Sequence, residues 1–122
     1  MNFAERVATL TCLIESGKTV EAMEHFYADH VTMQENNDPP RIGKVACLVN
    51  ERANVAGVKS VAAELVTQAI DEKNQTVLSE WRFAFTDLRD RQFLVEEISV
   101  QRWQNDQVVR ERFYYGPATI VA

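Results

Sequence analysis

Glu35 is the first residue whose setting in the sequence suggests chemistry. It ends a short alternating stretch, Val31 to Glu35, and two asparagines, an aspartate and Pro39-Pro40 follow it. A carboxylate at a strand tip has two fates. Partly desolvated, its pKa rises and it becomes a usable base near neutral pH. In an open loop with Asn36, Asn37 and Asp38 it is simply solvated. The other reactive residue types exclude more than they suggest. Cys12 and Cys47 fall in apolar helical patterns without a Cys-x-x-Cys spacing, so both read as buried, reduced thiols. His25 and His30 have no third ligand at metal-site spacing and read as solvated or capping residues. Ser79 and Ser99 have no histidine partner in any readable pattern, which disfavours nucleophilic acyl chemistry. There is no nucleophile elbow, phosphate-cradling glycine loop or metal motif, and no cofactor is expected.

Composition bounds the rest. The 122 residues suit one domain spanning 1–122. With 13 basic and 18 acidic residues the formal charge is −5, which argues against a nucleic-acid surface, since phosphate binding needs concentrated Lys and Arg. No apolar run approaches the ~20 residues of a bilayer span, and no basic segment followed by an apolar one opens the chain. No membrane partner is expected, and the expected location is the cytoplasm.

The elements that must position Glu35 follow from periodicity. Phe3, Val7, Leu10, Leu13 and Ile14 recur at helical spacing, and Ser16-Gly17 ends that helix. Thr19 then reads as the N-cap of a second helix with Ala22, Met23, Phe26 and Tyr27 as its buried stripe. After the strand to Glu35, residues 36–41 form a loop. Gly43 to Val55 is predicted to be a third helix, with Val45, Leu48, Val49 and Arg52 near one face, closed by Gly57. Val58 to Ile70 is ambiguous in period and is assigned as a strand because plain β-structure follows it. "VLSEWRFAFT" alternates with Val77, Ser79, Trp81, Phe83 and Phe85 on one face. The turn Asp87 to Asp90 leads to "QFLVEEISVQRWQ". Asn105-Asp106 makes a two-residue hairpin turn, and "QVVRERFYY" returns as the last strand before Gly116-Pro117. Helices first and an antiparallel sheet afterwards is an α+β order.

This layout carries a resemblance. The helical hairpin, "FYADH" running into a short strand, the glycine-led third helix and the closing "EEISVQRWQNDQVVRERFYYGP" resemble SnoaL-like members of the nuclear transport factor 2 (NTF2-like) superfamily. The resemblance implies a cone: N-terminal helices packed in a strongly curved, mixed but mainly antiparallel sheet, also described as cystatin-like, with a pocket at the wide end. Members of that superfamily include isomerases, cyclases, dehydratases and proteins without catalysis, so the fold does not choose a reaction. "YADHVTMQEN" is also similar to a segment of ketosteroid isomerase, and by that similarity the base aspartate falls on Glu35. The oxyanion-hole tyrosine and aspartate of that enzyme fall on Thr11 and Ser99, which removes the donors its enolate needs.

The same resemblance implies which faces are concave. Strand alternation then places Trp81, Phe83, Phe85 and Trp103 inward with Met33, joined by Glu97, Ser99 and Gln101. Pairing across Asn105-Asp106 adds Arg112 and Tyr114, although a one-residue bulge would exchange them for Glu111 and Phe113. The aromatics are either core residues or pocket walls. Glu97 with Arg112 reads more readily as a buried structural ion pair than as a catalytic couple, because an unpaired buried charge is costly. The opposite face, with Leu94, Ile98, Val100 and Val109 among charges, is apolar enough to suggest a homodimer interface. The resulting expectation is a small apolar molecule in the cone. Chemistry would be proton transfer of the isomerase, cyclase or dehydratase type, with Glu35 as base and Gln101, Tyr114 and Arg112 orienting the ligand. The alternatives are a ligand-binding protein without catalysis and a regulatory dimer whose cone is filled by its own side chains.

Overall fold

The computed structural model describes residues 1–122. Helix α1, Phe3–Glu15, starts where the Asn2 side chain accepts a hydrogen bond from the backbone N–H of Glu5 at 2.9 Å. It stops at Gly17, whose φ of +77° lets Lys18 N–H reach back to the Leu13 carbonyl. Helix α2, Thr19–Phe26, follows at once and completes the helical hairpin. Lys18, not Thr19, occupies its N-cap. The Thr19 hydroxyl instead donates to Glu51 at 2.8 Å.

Strand β1, Tyr27–Glu35, leaves α2 without a loop and is longer than the pattern from Val31 suggests. The short β2, Arg41–Ile42, pairs back on it, and Gly43, at φ +93°, turns the chain into α3, Lys44–Ala56. Four long or medium strands follow: β3 (Val58–Asp71), β4 (Thr76–Asp87), β5 (Gln92–Gln104) and β6 (Gln107–Tyr115). The ambiguous segment from Val58 is therefore a strand. A two-residue β7, Thr119–Ile120, which periodicity does not reveal, pairs with β5 at Phe93 and Leu94. The sheet order is β2-β1-β6-β5-β4-β3, parallel only between β1 and β6. Three helices and this mixed, mostly antiparallel curved sheet make the α+β cone.

Where α1 and α2 cover the concave face, the interior is dry. Val7 and Leu10 of α1, Met23 and Phe26 of α2, and Val31, Val77, Trp103 and Val108 from the sheet close together there. Trp103 meets Phe3 and Phe26 edge-on, with ring centroids 5.5 and 6.1 Å apart. Each such large side chain contributes about 1.5–3 kcal/mol when fully buried. The helices stop short of the other half of the concave face. Trp81, Phe83 and Phe85 line that half, and a cavity lies in front of them.

Candidate functional site

The hairpin between β5 and β6 decides which residues reach the cavity. Asn105 and Asp106 take φ of 51° and 65°, as a tight two-residue turn requires. Trp103 faces Val108, but Arg102 faces Arg110, so Val109 is an extra residue, a bulge. From there on, the inward set of β6 is Glu111, Phe113 and Tyr115. Arg112 and Tyr114, expected in the cavity, lie on the convex face. Arg112 stacks on the Tyr114 ring at 4.7 Å, and its guanidinium donates to the Asn36 carbonyl and to Asn37 Oδ1. It therefore fastens the loop after Glu35. Asn36 also exchanges side-chain hydrogen bonds with the backbone of Tyr115, both at 3.0 Å. The polar run behind Glu35 extends the β1–β6 ladder and keeps the strand tip against the cone.

The cavity is about 300 Å³. Met33, Glu35, Trp81, Phe83, Phe85 and Glu97 line it, as the alternation reading expects. Trp81 and Phe83 stack, with centroids 5.6 Å apart and planes inclined by 24°. Ser99, Gln101 and Trp103 are inward-facing but lie deeper, in the packed interior, and do not line it. Sequence reasoning missed the contribution of α3. Cys47, Asn50, Glu51 and Asn54 point into the cavity, whereas Val45 and Val49 are exposed and Arg52 pairs on the surface with Glu24 at 2.9 Å. The spacing 47, 50, 51, 54 is a helix face, but it is polar, and a search for an apolar stripe passes over it. Tyr27, Arg41, Glu111 and Tyr115 complete the chemically active lining.

Glu35 is neither free nor solvated. Arg41 holds it bidentately, Nη1 to Oε2 at 2.5 Å and Nη2 to Oε1 at 2.9 Å, with both side chains about three-quarters buried. Glu111 is fully enclosed. Tyr27 Oη donates to one of its oxygens, and Gln101 Nε2 donates to the other at 2.9 Å. Gln101 is itself fixed by Trp103 Nε1 at 3.2 Å. Burial, helped by the charges of Glu51 and Glu35 and opposed by those two donors, lifts the Glu111 carboxyl to about 7.

Glu97 differs from both. No ion pair with Arg112 forms, because the bulge carries that residue to the other face. Its carboxyl makes no hydrogen bond or ion pair within the protein. Across the sheet it stands between Trp81 on β4 and Tyr115 on β6. Burial, then the nearby charges of Glu111, Glu35 and Glu51, raise its pKa from 4.5 to about 8. It is mostly protonated at neutral pH. Glu51 is also raised, mainly by burial, although Thr19 donates to it. Burial likewise pushes the Cys47 thiol up. Cys12, expected to be buried, is exposed, and both cysteines are free. His25 and His30 are exposed, and no group of three or more His, Cys, Asp and Glu side chains is placed to hold a metal.

No protein-family model and no curated protein matches the sequence. Solved structures do match. An NTF2-like protein of unknown function from Burkholderia pseudomallei superposes with a TM-score of 0.80 at 10% identity, over 95% of this chain and 92% of that one. This is an NTF2-like fold. A protein of Mesorhizobium loti described as a SnoaL-like polyketide cyclase gives a TM-score of 0.78 at 21% identity, covering 94% of this chain and all of its own. TerC, crystallised with polyporic acid, gives 0.77 at 7% identity over 93% of this chain and 91% of its own. Identities this low establish the NTF2-like fold and leave the chemistry to the site. No helix is long and apolar enough to cross a membrane.

Proposed function

We propose that this protein binds a small, largely apolar molecule in the cavity of its cone and exchanges a proton with it, with Glu97 as the acid. The observation that carries the reading is a partly buried carboxyl without any protein partner, standing beside stacked aromatic rings in a cavity of about 300 Å³. That volume is at the lower end of small-molecule sites. A group poised near neutral pH gives up and regains a proton readily, which is the requirement for general acid–base work. The proteins of this fold described as a polyketide cyclase, or crystallised with polyporic acid, support a small-molecule role.

In this reading Glu35 has a different task from the one its resemblance to the ketosteroid isomerase base implies. Bound at both oxygens by Arg41, it neutralises that guanidinium and ties β2 to the tip of β1. Glu111, held by Tyr27 and Gln101, forms the floor of the cavity. The test is carboxyl titration by NMR, alongside native mass spectrometry for a co-purified ligand. A titration near 8 that disappears in Glu97→Gln supports the assignment. An ordinary glutamate value for Glu97 removes the acid, and turnover of any identified ligand that survives Glu97→Gln but not Glu35→Gln returns the role to Glu35.

A further inference from the structure

We propose that the molecule this cavity accepts carries a basic nitrogen, held as a cation against Glu97 and flanked by the rings of Trp81 and Phe83. The proposal rests on the reading of the cavity as a ligand site and names the class of ligand for it.

The charge inventory of the lining is lopsided. Four carboxyls face the cavity, from four different elements: Glu35 of β1, Glu51 of α3, Glu97 of β5 and Glu111 of β6. The single cation is Arg41 of β2, and Glu35 occupies both of its terminal nitrogens. That pair is self-neutral. Three carboxyls remain without a counter-charge. The phenols of Tyr27 and Tyr115 and the thiol of Cys47 also face in, and burial raises all three, so they stay neutral and offer no positive charge.

A carboxylate without a cation in such a place costs several kcal/mol. The protein meets that demand with protons: Glu97 reaches about 8 and Glu111 about 7. Glu111 and Glu51 at least have donors from Tyr27, Gln101 and Thr19. Glu97 has none. A ligand that brings its own positive charge supplies what the site lacks, and the faces of the adjacent aromatic rings favour the same charge. A carboxylate ligand would add a fifth negative group. Arg41 has no unmatched charge to offer it, because Glu35 already engages both terminal nitrogens.

A strong amine enters as the ammonium ion, Glu97 becomes the carboxylate, and its proton leaves to the buffer. A weak heteroaromatic base enters neutral and takes the proton from Glu97, with no net release. No covalent bond to carbon changes in either case.

Three probes sharing one flat body decide the matter: naphthylmethylamine, naphthylmethanol and naphthoate, measured by titration calorimetry near neutral pH in buffers of different ionisation enthalpy. The amine should bind at least about tenfold more tightly than the alcohol, with naphthoate weakest, and should release close to one proton. Glu97→Gln should abolish the release and the amine's advantage over the alcohol. Naphthoate binding as tightly as the amine overturns the inference, as does amine binding without proton release. Equal binding of amine and alcohol also overturns it but keeps the cavity as a ligand site. Failure of all three to bind removes both readings. If Glu97→Gln does not fold, proton release by the unmodified protein still decides.

Discussion

Glu97 makes the cleanest residue-scale prediction, because its raised pKa couples to stability with a definite sign. In the unfolded chain it titrates near 4.5, and in the folded protein near 8. Between those values the folded state holds a proton that the unfolded state has lost, so folding stability falls as pH rises. The contribution is fully present below the lower value and is gone once the pH has passed the higher one. Glu111, raised to about 7, acts in the same direction. Urea unfolding across this window should show declining stability for the natural protein and a flatter profile for Glu97→Gln. A profile that rises with pH would contradict the desolvated, unpaired carboxyl. Tyr27→Phe tests the neighbouring site. It removes a donor to buried Glu111 and should cost about 1–3 kcal/mol in urea unfolding, with the Glu111 titration moving up. That Glu35 reaches the cavity was legible from a carboxylate placed at a strand end. That Arg41 ties it down was not, because the partner lies beyond a double proline whose turn no local pattern describes.

At the scale of elements, alternation places Trp81, Phe83, Phe85 and Glu97 correctly because β4 and β5 pair without interruption from Thr86 to Thr76. A period of two leaves only one choice of face. It fails on β6 because one residue more or less in a nine-residue strand is invisible to periodicity, yet it reverses every side chain beyond it. Buried Glu111 is what the bulge positions: with Val109 inserted, its carboxyl reaches Tyr27 and Gln101. Inserting one residue between Arg110 and Glu111 should rotate Arg112 and Tyr114 inward, expel Glu111 and Phe113, and place a guanidinium in the core. Such a change carries the several-kcal/mol penalty of a large core disruption, and thermal unfolding should show a large loss of stability or no cooperative transition. An unchanged midpoint would mean that the strand register is set elsewhere. Helix α3 teaches the complementary lesson. Its inward face is polar because it borders a cavity, so a rule that buries apolar residues points the helix the wrong way and leaves Val45 and Val49 in water. A helix whose polar side is the better candidate for burial marks a site more often than a fault in the pattern.

For the whole molecule, the convex face remains to be partnered, and we propose that a second copy of the chain covers it. Its centre is a band of Leu78, Val100 and Arg112 beside a band of Glu80, Ile98 and Tyr114, each running across β4, β5 and β6. Leu78, Ile98 and Tyr114 are each about two-fifths exposed, too much apolar surface to lie together in water without reason. On one side of these bands lies a basic row, Arg102 with Arg110; on the other lies Glu64, Arg82 and Glu96. A two-fold axis lying in the interface, across the strands and between the central bands, brings Val100 against Ile98 of the second copy and Arg102 against its Glu96. The face is therefore complementary to itself, as an isologous dimer requires. Val100→Lys should give monomers by light scattering, because it sets two ammonium groups into the apolar centre. Glu96→Arg should also dissociate the dimer through repulsion with Arg102, and the double variant Glu96→Arg, Arg102→Glu should restore it. Restoration by the charge exchange excludes a simple folding defect, whereas a dimer that survives both single substitutions places the interface on another face.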